Sequence, residues 1–491
     1  MPVRFGTASA RWIIAAAVLG SGIAFLDGTV VNVALPAIAD DLDSDVAGLQ
    51  WVLNGYLVTL TALLLFAGAL GDRYGRKRVF LGGLVAFTAA SVLCALAPNV
   101  ALLAAARALQ GIGGAFLVPG SLAIIGSVFD SEDRGRAVGA WSGLTGIATA
   151  IGPFAGGWLI DAASWRFVFL INVPLAAIAF VITTRHVPES VVESCAPPDV
   201  AGAVLASAGL GALCWGLIER NVFAGLLGGV ALVAFVVVEA RGASPMLPLG
   251  LFRSRQFSGA NATTLAVYAG LGVAFFLLVV QFQFAIGYSA LEAGAALLPV
   301  TVLMLFLSSR FGALAQRIGP RLPMTSGAIV VAVGFAMFTR AGPGSSYVTT
   351  VLPAALVFGL GLASVVAPLT ATVLASVPDA QMGVASGVNN AVARLAGLLA
   401  VATMPAAVGL DTGDAPGPLS DAVGTAMWAS AALCAAGGVI AFLTVRRAQS
   451  VEPTVQPSVL QPCVEVTTSS RSRSGRRRCR SSRAGRPRAV R

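Results

Sequence analysis

Long apolar runs, broken by short polar stretches, occupy most of the chain, and within them the apolar positions are continuous rather than alternating. A continuous run of about 20 apolar residues reads as a membrane-crossing helix, because in hydrocarbon every backbone polar group must be paired inside its own segment. Strict alternation would mark a transmembrane barrel strand. The runs predict helices near 12–36, 49–70, 79–97, 100–126, 137–160 and 167–184. Two shorter, glycine-rich runs follow at 200–218 and 222–239, then 257–285, 292–311, 322–339, 347–375, 384–405 and 422–445. The expected fold is all-α and polytopic, with fourteen spans grouped as six, two and six. This divides the chain into a first six-helix bundle (1–186), a linker with two additional spans (187–256), a second six-helix bundle (257–445) and a tail (446–491).

Composition agrees: 57% of the 491 residues are apolar and 11% charged, against roughly 25% charge in a soluble domain. The net charge of +10 suggests nucleic acid until it is located. From Arg446 onward there are twelve Arg against Glu452 and Glu465, and the remaining 20 basic and 20 acidic side chains cancel. The tail, ending RSRSGRRRCRSSRAGRPRAVR, cannot bury a core and is expected to be disordered and solvated, so no nucleic-acid partner is expected. The six Cys (Cys94, Cys195, Cys214, Cys434, Cys463, Cys479) show no metal-ligand spacing and read as packing residues or free thiols. Lys77 is the sole lysine and is followed by Arg78, which rules out a GxxxxGK[ST] phosphate loop. His186, the sole histidine, is read as a loop residue; it leaves neither an HExxH metal site nor an evident Ser/His/Asp constellation. Neither an enzyme, a metal nor a cofactor is expected.

Arg4 and Arg11 precede an apolar stretch too long for a signal peptide and lacking a cleavage site, so it is taken as the first span. With the N-terminus inside, 15 of the 20 basic residues before the tail fall on the inner side, and only Arg166, Arg220 and Arg340 fall outside. The outer loops carry ten acids, including Asp40, Asp41, Asp43 and Asp45. Both termini are thus expected in the cytoplasm of a cell whose membrane holds the protein. Three ionisable residues remain inside the apolar spans: Asp27, Arg107 and Arg394. Charges in hydrocarbon are costly unless paired or facing water, which makes each a functional candidate. Asp27 lies roughly 13 Å below the outer end of its span and Arg107 roughly 10 Å, at 1.5 Å per residue. Matching depths suggest that the two face each other across one cavity. Alternatively, Arg107 ties helices together through backbone carbonyls.

After the second span the chain reads GALGDRYGRKRV, in which Gly68, Asp72, Arg73, Gly75, Arg76 and Lys77 place an acid beside a basic run at a tight turn. Such a pairing makes a breakable, charge-assisted latch, and the loop also serves as a positive-inside signal. The segment resembles, almost position for position, the signature loop of the major facilitator superfamily. LDGTVVNVALP around Asp27 and RALQGIGGA around Arg107 resemble motifs of that superfamily's fourteen-helix drug:proton antiporters. Gly139, Gly152, Pro153, Gly156 and Gly157 resemble the antiporter motif of the fifth span, with Ala148 where Gly is usual. WRFVFLINVP, PMLPLGLFRSRQF and YSALEAGAALLP belong to the same likeness, which covers 12–445. It implies the major facilitator fold, a proton-transfer role for Arg107, and span-5 glycines that seal the seam between the bundles. An internal repeat supports two related halves: Gly68, Leu70, Arg73 and Gly75 recur as Gly312, Leu314, Arg317 and Gly319, each offset by 244, with Gln316 in place of Asp72.

These features lead to an ion-coupled, alternating-access exporter of amphipathic drugs or antibiotics, driven by the proton gradient. In this scheme proton and drug compete for the Asp27 carboxylate. Asn54, Tyr56, Gln110, Gln281, Gln283, Asn389, Asn390 and Arg394 are the expected cavity residues, although each Asn and Gln reads equally as an interhelical hydrogen-bonding group. Beyond substrate, protons and lipid bilayer no partner is expected, and the protein is taken as a monomer. An importer of small organic solutes and a ligand sensor that moves nothing remain as alternatives.

Overall fold

The polar stretches of the sequence become helix caps. In a computed structural model, which describes residues 3–190, 198–242, 245–378, 381–409 and 416–446, Thr7, Asp45, Asn99, Asp199, Asn221 and Ser254 each accept a backbone N–H from the first turn of the helix they precede. Ser289 and Glu292 form a reciprocal capping box. These contacts satisfy N–H groups that a helix cannot pair internally.

Among the described residues, fourteen helices are long and apolar enough to cross a membrane. They are α1 (Ala8–Leu42), α2 (Val46–Tyr74), α3 (Arg76–Ala95), α4 (Val100–Val128), α5 (Arg136–Ala162), α6 (Phe167–His186) and α7 (Val200–Ile218). There follow α8 (Val222–Arg241), α9 (Arg255–Ala285), α10 (Ala290–Ile318), α11 (Arg321–Phe338), α12 (Tyr347–Ala375), α13 (Val384–Val408) and α14 (Leu419–Thr444). Each coincides with a predicted run, and most extend a few residues beyond it. The apolar run marks only the part facing hydrocarbon, whereas the helix continues to its cap. His186 is the last residue of α6 rather than a loop residue, and its ring stacks on Trp12 with centroids 5.0 Å apart. The expected tail lies outside the described residues apart from Arg446, as do Cys195, Cys463 and Cys479; Cys94, Cys214 and Cys434 are buried free thiols.

The internal repeat of the sequence reappears in the packing. α2 lies on α4, α3 on α4, α1 on α5 and on α6, and α3 on α6; the same pairings recur as α10 on α12, α11 on α12, α9 on α13 and on α14, and α11 on α14. Gly75 and Gly319, the 244-offset pair, both close their helices at positive φ, +105° and +91°, where a Cβ would be strained. α7 fits against α2 and α13, and α8 packs on α7 with little else covering it.

The two six-helix groups meet along α1 with α9, α2 with α13 and α5 with α10. At the end remote from Gly75 this seam is closed. An added Cβ on Gly157 would stand 2.5 Å from the Ala290 carbonyl oxygen, and one on Gly294 would stand 2.2 Å from that of Pro153, so α5 and α10 touch backbone to backbone. Asp161 accepts the Leu291 N–H at 2.9 Å, Gln283 donates to the Val33 carbonyl at 3.0 Å, and Gln50 donates to those of Val401 and Ala402.

Valine at position 157 or 294 would overlap this backbone contact, so Gly157→Val and Gly294→Val should each hold the far end open. In a cysteine-depleted background, a single cysteine at position 283 should then react several-fold faster with a membrane-impermeant maleimide. An unchanged rate would mean that the seam tolerates the bulk.

Candidate functional site

Asp27 on α1 is wholly buried, and its carboxylate is satisfied by three side chains from two other helices. Arg107 Nη1 of α4 donates to Oδ2 at 2.5 Å; Gln110 Nε2 of α4 and Asn172 Nδ2 of α6 donate to Oδ1 at 2.8 and 3.0 Å. Ser91 of α3 closes the group by accepting from both amides. The guanidinium of Arg107 also donates through Nε to the Val52 carbonyl of α2 and through Nη1 to Gln110 Oε1. Its carbon lies 4.3 Å from the centroid of the Tyr56 ring. Five helices thus converge on one ion pair, each presenting a donor or acceptor at the depth where hydrocarbon offers none. The alternative reading of Arg107 holds in part, since it ties α2 to α4 through a carbonyl while also pairing with Asp27. The expectation that the two charges face each other across a cavity is corrected: they are in direct contact inside the first six-helix group.

The cavity lies beside this cluster, between the two groups, with a volume of about 490 Å³. It extends from the level of Asn32 and Val401 to that of Leu374 and Ser386, near the ends of α12 and α13 on the Gly75 side. Arg107 forms part of its wall; Asp27 does not. Tyr56, Asn389, Asn390 and Arg394 line it as expected. The other four predicted cavity residues do not. Gln110 is taken up by the ion-pair cluster. Gln281 donates to the Ala341 carbonyl and Ser420 Oγ, and Gln283 spans the seam to Val33. Asn54 is buried away from the cavity with both amide atoms unpartnered. Sequence reasoning missed Asn32, Trp141 and Tyr268 in the lining. Asn32 stands four residues after Gly28, on the face of α1 that carries the wall. It also missed a fourth buried charge, Glu239 of α8, which is 2% exposed and accepts the Leu247 N–H at 2.8 Å.

The signature loop turns at Gly75, with Asp72 bridged to Arg76 at 2.9 Å. Arg76 also donates to the Ala123 carbonyl of α4, and Lys77 donates to that of Thr184 in α6. Arg73 lies over the Tyr74 ring, and Gly68 faces Pro119 of α4. Glu189, beyond α6, was missed. It accepts the Lys77 N–H and pairs with Arg78 at 3.6 Å, so the loop's acid and bases are answered largely within the first half. In α5, Gly152 and Gly156 sit against Thr29 and Val30 of α1, while Pro153 and Gly157 meet α10. Ala148 preserves contact with α1, 3.4 Å from where a Cβ on Gly22 would lie. Gly139 differs from the others, being exposed with open space beside it.

The sequence profile described as Major Facilitator Superfamily matches residues 17–401. The chain belongs to this superfamily. It is 34% identical over 384 residues to the multidrug resistance protein Stp of Mycobacterium tuberculosis (strain CDC 1551 / Oshkosh), covering 76% of this chain and 71% of that one. It is 33% identical over 412 residues to the tetracenomycin C resistance and export protein of Streptomyces glaucescens, covering 81% and 76%. Among solved structures, an auto-inhibited POT family peptide transporter superposes with a TM-score of 0.68 at 17% identity, covering 91% of this chain and 99% of that one, a likeness of fold alone. As a member of the Major Facilitator Superfamily, the chain is a multi-pass membrane transporter related to drug and antibiotic efflux proteins, and not an enzyme.

Removing one partner of a buried ion pair leaves an uncompensated charge and costs about 3–5 kcal/mol. Arg107→Met should therefore lower the unfolding midpoint of the detergent-solubilised protein sharply. Arg107→Met combined with Asp27→Asn should recover part of the loss, because no lone charge then remains. Equal, additive losses would mean that the two side chains are not coupled.

Proposed function

We propose that the protein is a proton-coupled exporter of amphipathic drugs or antibiotics. In this reading residues 1–186 and 257–445 rock against each other in the cell membrane, 187–256 carry the inserted pair, and both termini are cytoplasmic. The observation that carries the reading is the position of Arg107, whose guanidinium holds Asp27 on one side and forms cavity wall on the other. Export as the direction of transport is supported by the relatives named for resistance and export and by the span-5 glycines at the closed seam.

The chemistry follows from the pair. A proton reaching Asp27 removes the negative charge that fixes Arg107, and the guanidinium then gains by turning into the water of the cavity, into space that a drug would occupy. A drug seated in the cavity keeps Arg107 back on the ionised Asp27, so proton and drug oppose each other through the arginine instead of competing for one oxygen. When the proton leaves, Asp27 reclaims Arg107 and the cavity is again free for drug. The far end is closed and the cavity reaches the Gly75 side, which on this topology is the state that loads from the cytoplasm. Gly75, the Asp72–Arg76 bridge and Glu189 would then guard the loading side.

Asp27→Asn keeps the shape and the amide-bonding neighbours but cannot carry a titrating charge. It should retain membrane insertion, the freed guanidinium turning to the cavity, and in inverted vesicles lose drug accumulation driven by a pH gradient. Full coupled transport in the variant would remove Asp27 from the mechanism. Transport out of the inverted vesicles by the unmodified protein, the direction of cellular uptake, would indicate an importer, and binding without flux a sensor.

A further inference from the structure

Arg394 differs from the other charges within the spans. Arg107 is answered by Asp27, and Glu239 accepts a backbone N–H. Arg394, in α13, has neither an ion pair nor a hydrogen bond among the described residues, and its Nε is buried without a partner. The Phe25 ring lies 5.8 Å from its guanidinium carbon. It forms part of the cavity wall, and among the described residues no Asp or Glu does. The cavity therefore holds one compensated and one uncompensated guanidinium. Asn390, one turn earlier on the same face, spends its amide only on the Ser386 carbonyl of its own helix. Five aromatic side chains, Phe25, Tyr56, Tyr268, Phe275 and Trp141, share the wall with aliphatic residues such as Leu57 and Leu271.

A guanidinium with low-dielectric walls and no counter-ion is an electrostatic deficit that a ligand's negative charge fills, and its planar fork matches a carboxylate in bidentate fashion. We infer that the cavity selects organic anions, a carboxylate or phenolate borne on a flat aromatic body, with the anionic group on Arg394 and the body between the aromatic side chains. As a statement about cargo this rests on the exporter reading; as a statement about binding it stands alone. An anion seated there leaves the loaded cavity neutral, where the empty one carries the charge of Arg394.

The test uses the full chain in detergent and three probes of one shape: pyrenebutyrate, its amide pyrenebutyramide, and the amine pyrenebutylamine. Binding is read by energy transfer from tryptophan, Trp141 being in the wall. A hydrogen bond to a charged group is worth enough to favour the carboxylate over the amide by about tenfold. Arg394→Gln should abolish that preference while leaving amide affinity in place, and Arg394→Lys should keep part of it. Equal affinities in the unmodified protein, tighter binding of the amine, or a preference that survives in Arg394→Gln would each overturn the inference. Should Arg394→Gln lose amide binding too, the ranking in the unmodified protein decides by itself. Anion-preferring binding without proton-driven efflux would refute the exporter reading and leave this one standing. Proton-driven efflux of neutral or cationic compounds with no anion preference would do the reverse.

Discussion

The contact between Asp27 and Arg107 governs the first half of the protein. Neither charge is tolerable alone at that depth, since a lone ion in a low-dielectric interior loses its hydration with nothing in return. Together they are tolerable only because the remaining lone pairs and protons are met: Gln110 and Asn172 on the carboxylate, Val52 and Gln110 on the guanidinium, Ser91 on both amides. Each of those groups comes from a different turn of α2, α3, α4 or α6, so the requirement to satisfy one pair fixes the mutual rotation of five helices. The close glycine contacts of α4 follow from this. Gly111 lies against the Tyr56 carbonyl and Gly113 against the backbone of Phe87, and without that proximity the arginine would not reach Val52.

The second half repeats the scaffold and omits the pair. α9–α14 reproduce the packing of α1–α6, and Gly319 reproduces the turn at Gly75, yet Gln316 stands where Asp72 does and no acid faces Arg394. Its polar contacts are mostly neutral: Asn389 to Asn261 and Thr264, and Gln281 to Ala341 and Ser420. Duplication of a bundle preserves helix packing because every small-residue contact is needed for the fold. Charges are not needed for packing, and they have diverged. The result is one half with a self-contained ion pair and another with an exposed cationic demand.

How much of this could be read from residues alone divides along a physical line. The spans were legible because hydrocarbon demands long continuous apolar runs, and no tertiary contact overrides that demand. The depth of Asp27 and Arg107 was legible because rise per residue converts sequence position into height. Rotation about the helix axis was not. Asn54 and Tyr56 are two residues apart, hence about 200° apart around α2, and only the tyrosine meets the cavity. A polar residue in an apolar helix either faces water or bonds a neighbouring helix, and Gln281 and Gln283 took the second course with nothing in the local sequence to distinguish it. Glu239 was overlooked for a related reason. A charge at the edge of an apolar run reads as the interface, whereas the chain folds back so that Leu247 covers it.

Arg107 is the only charged group that belongs both to the pair and to the cavity wall, and this determines how the two halves can communicate. Coupling between sites requires an element whose arrangement both ligands bias. Arg394 lacks this property, because nothing in the first half's ion pair touches it, and Asp27 lacks it because the wall excludes it. A guanidinium on a flexible stem between the two has it by construction: whatever weakens its hold on Asp27 changes the charge presented to the cavity, and whatever occupies the cavity changes what it costs to leave Asp27. On this arrangement the proposed proton site need not be seen by the substrate at all. It needs only to share an arginine with it.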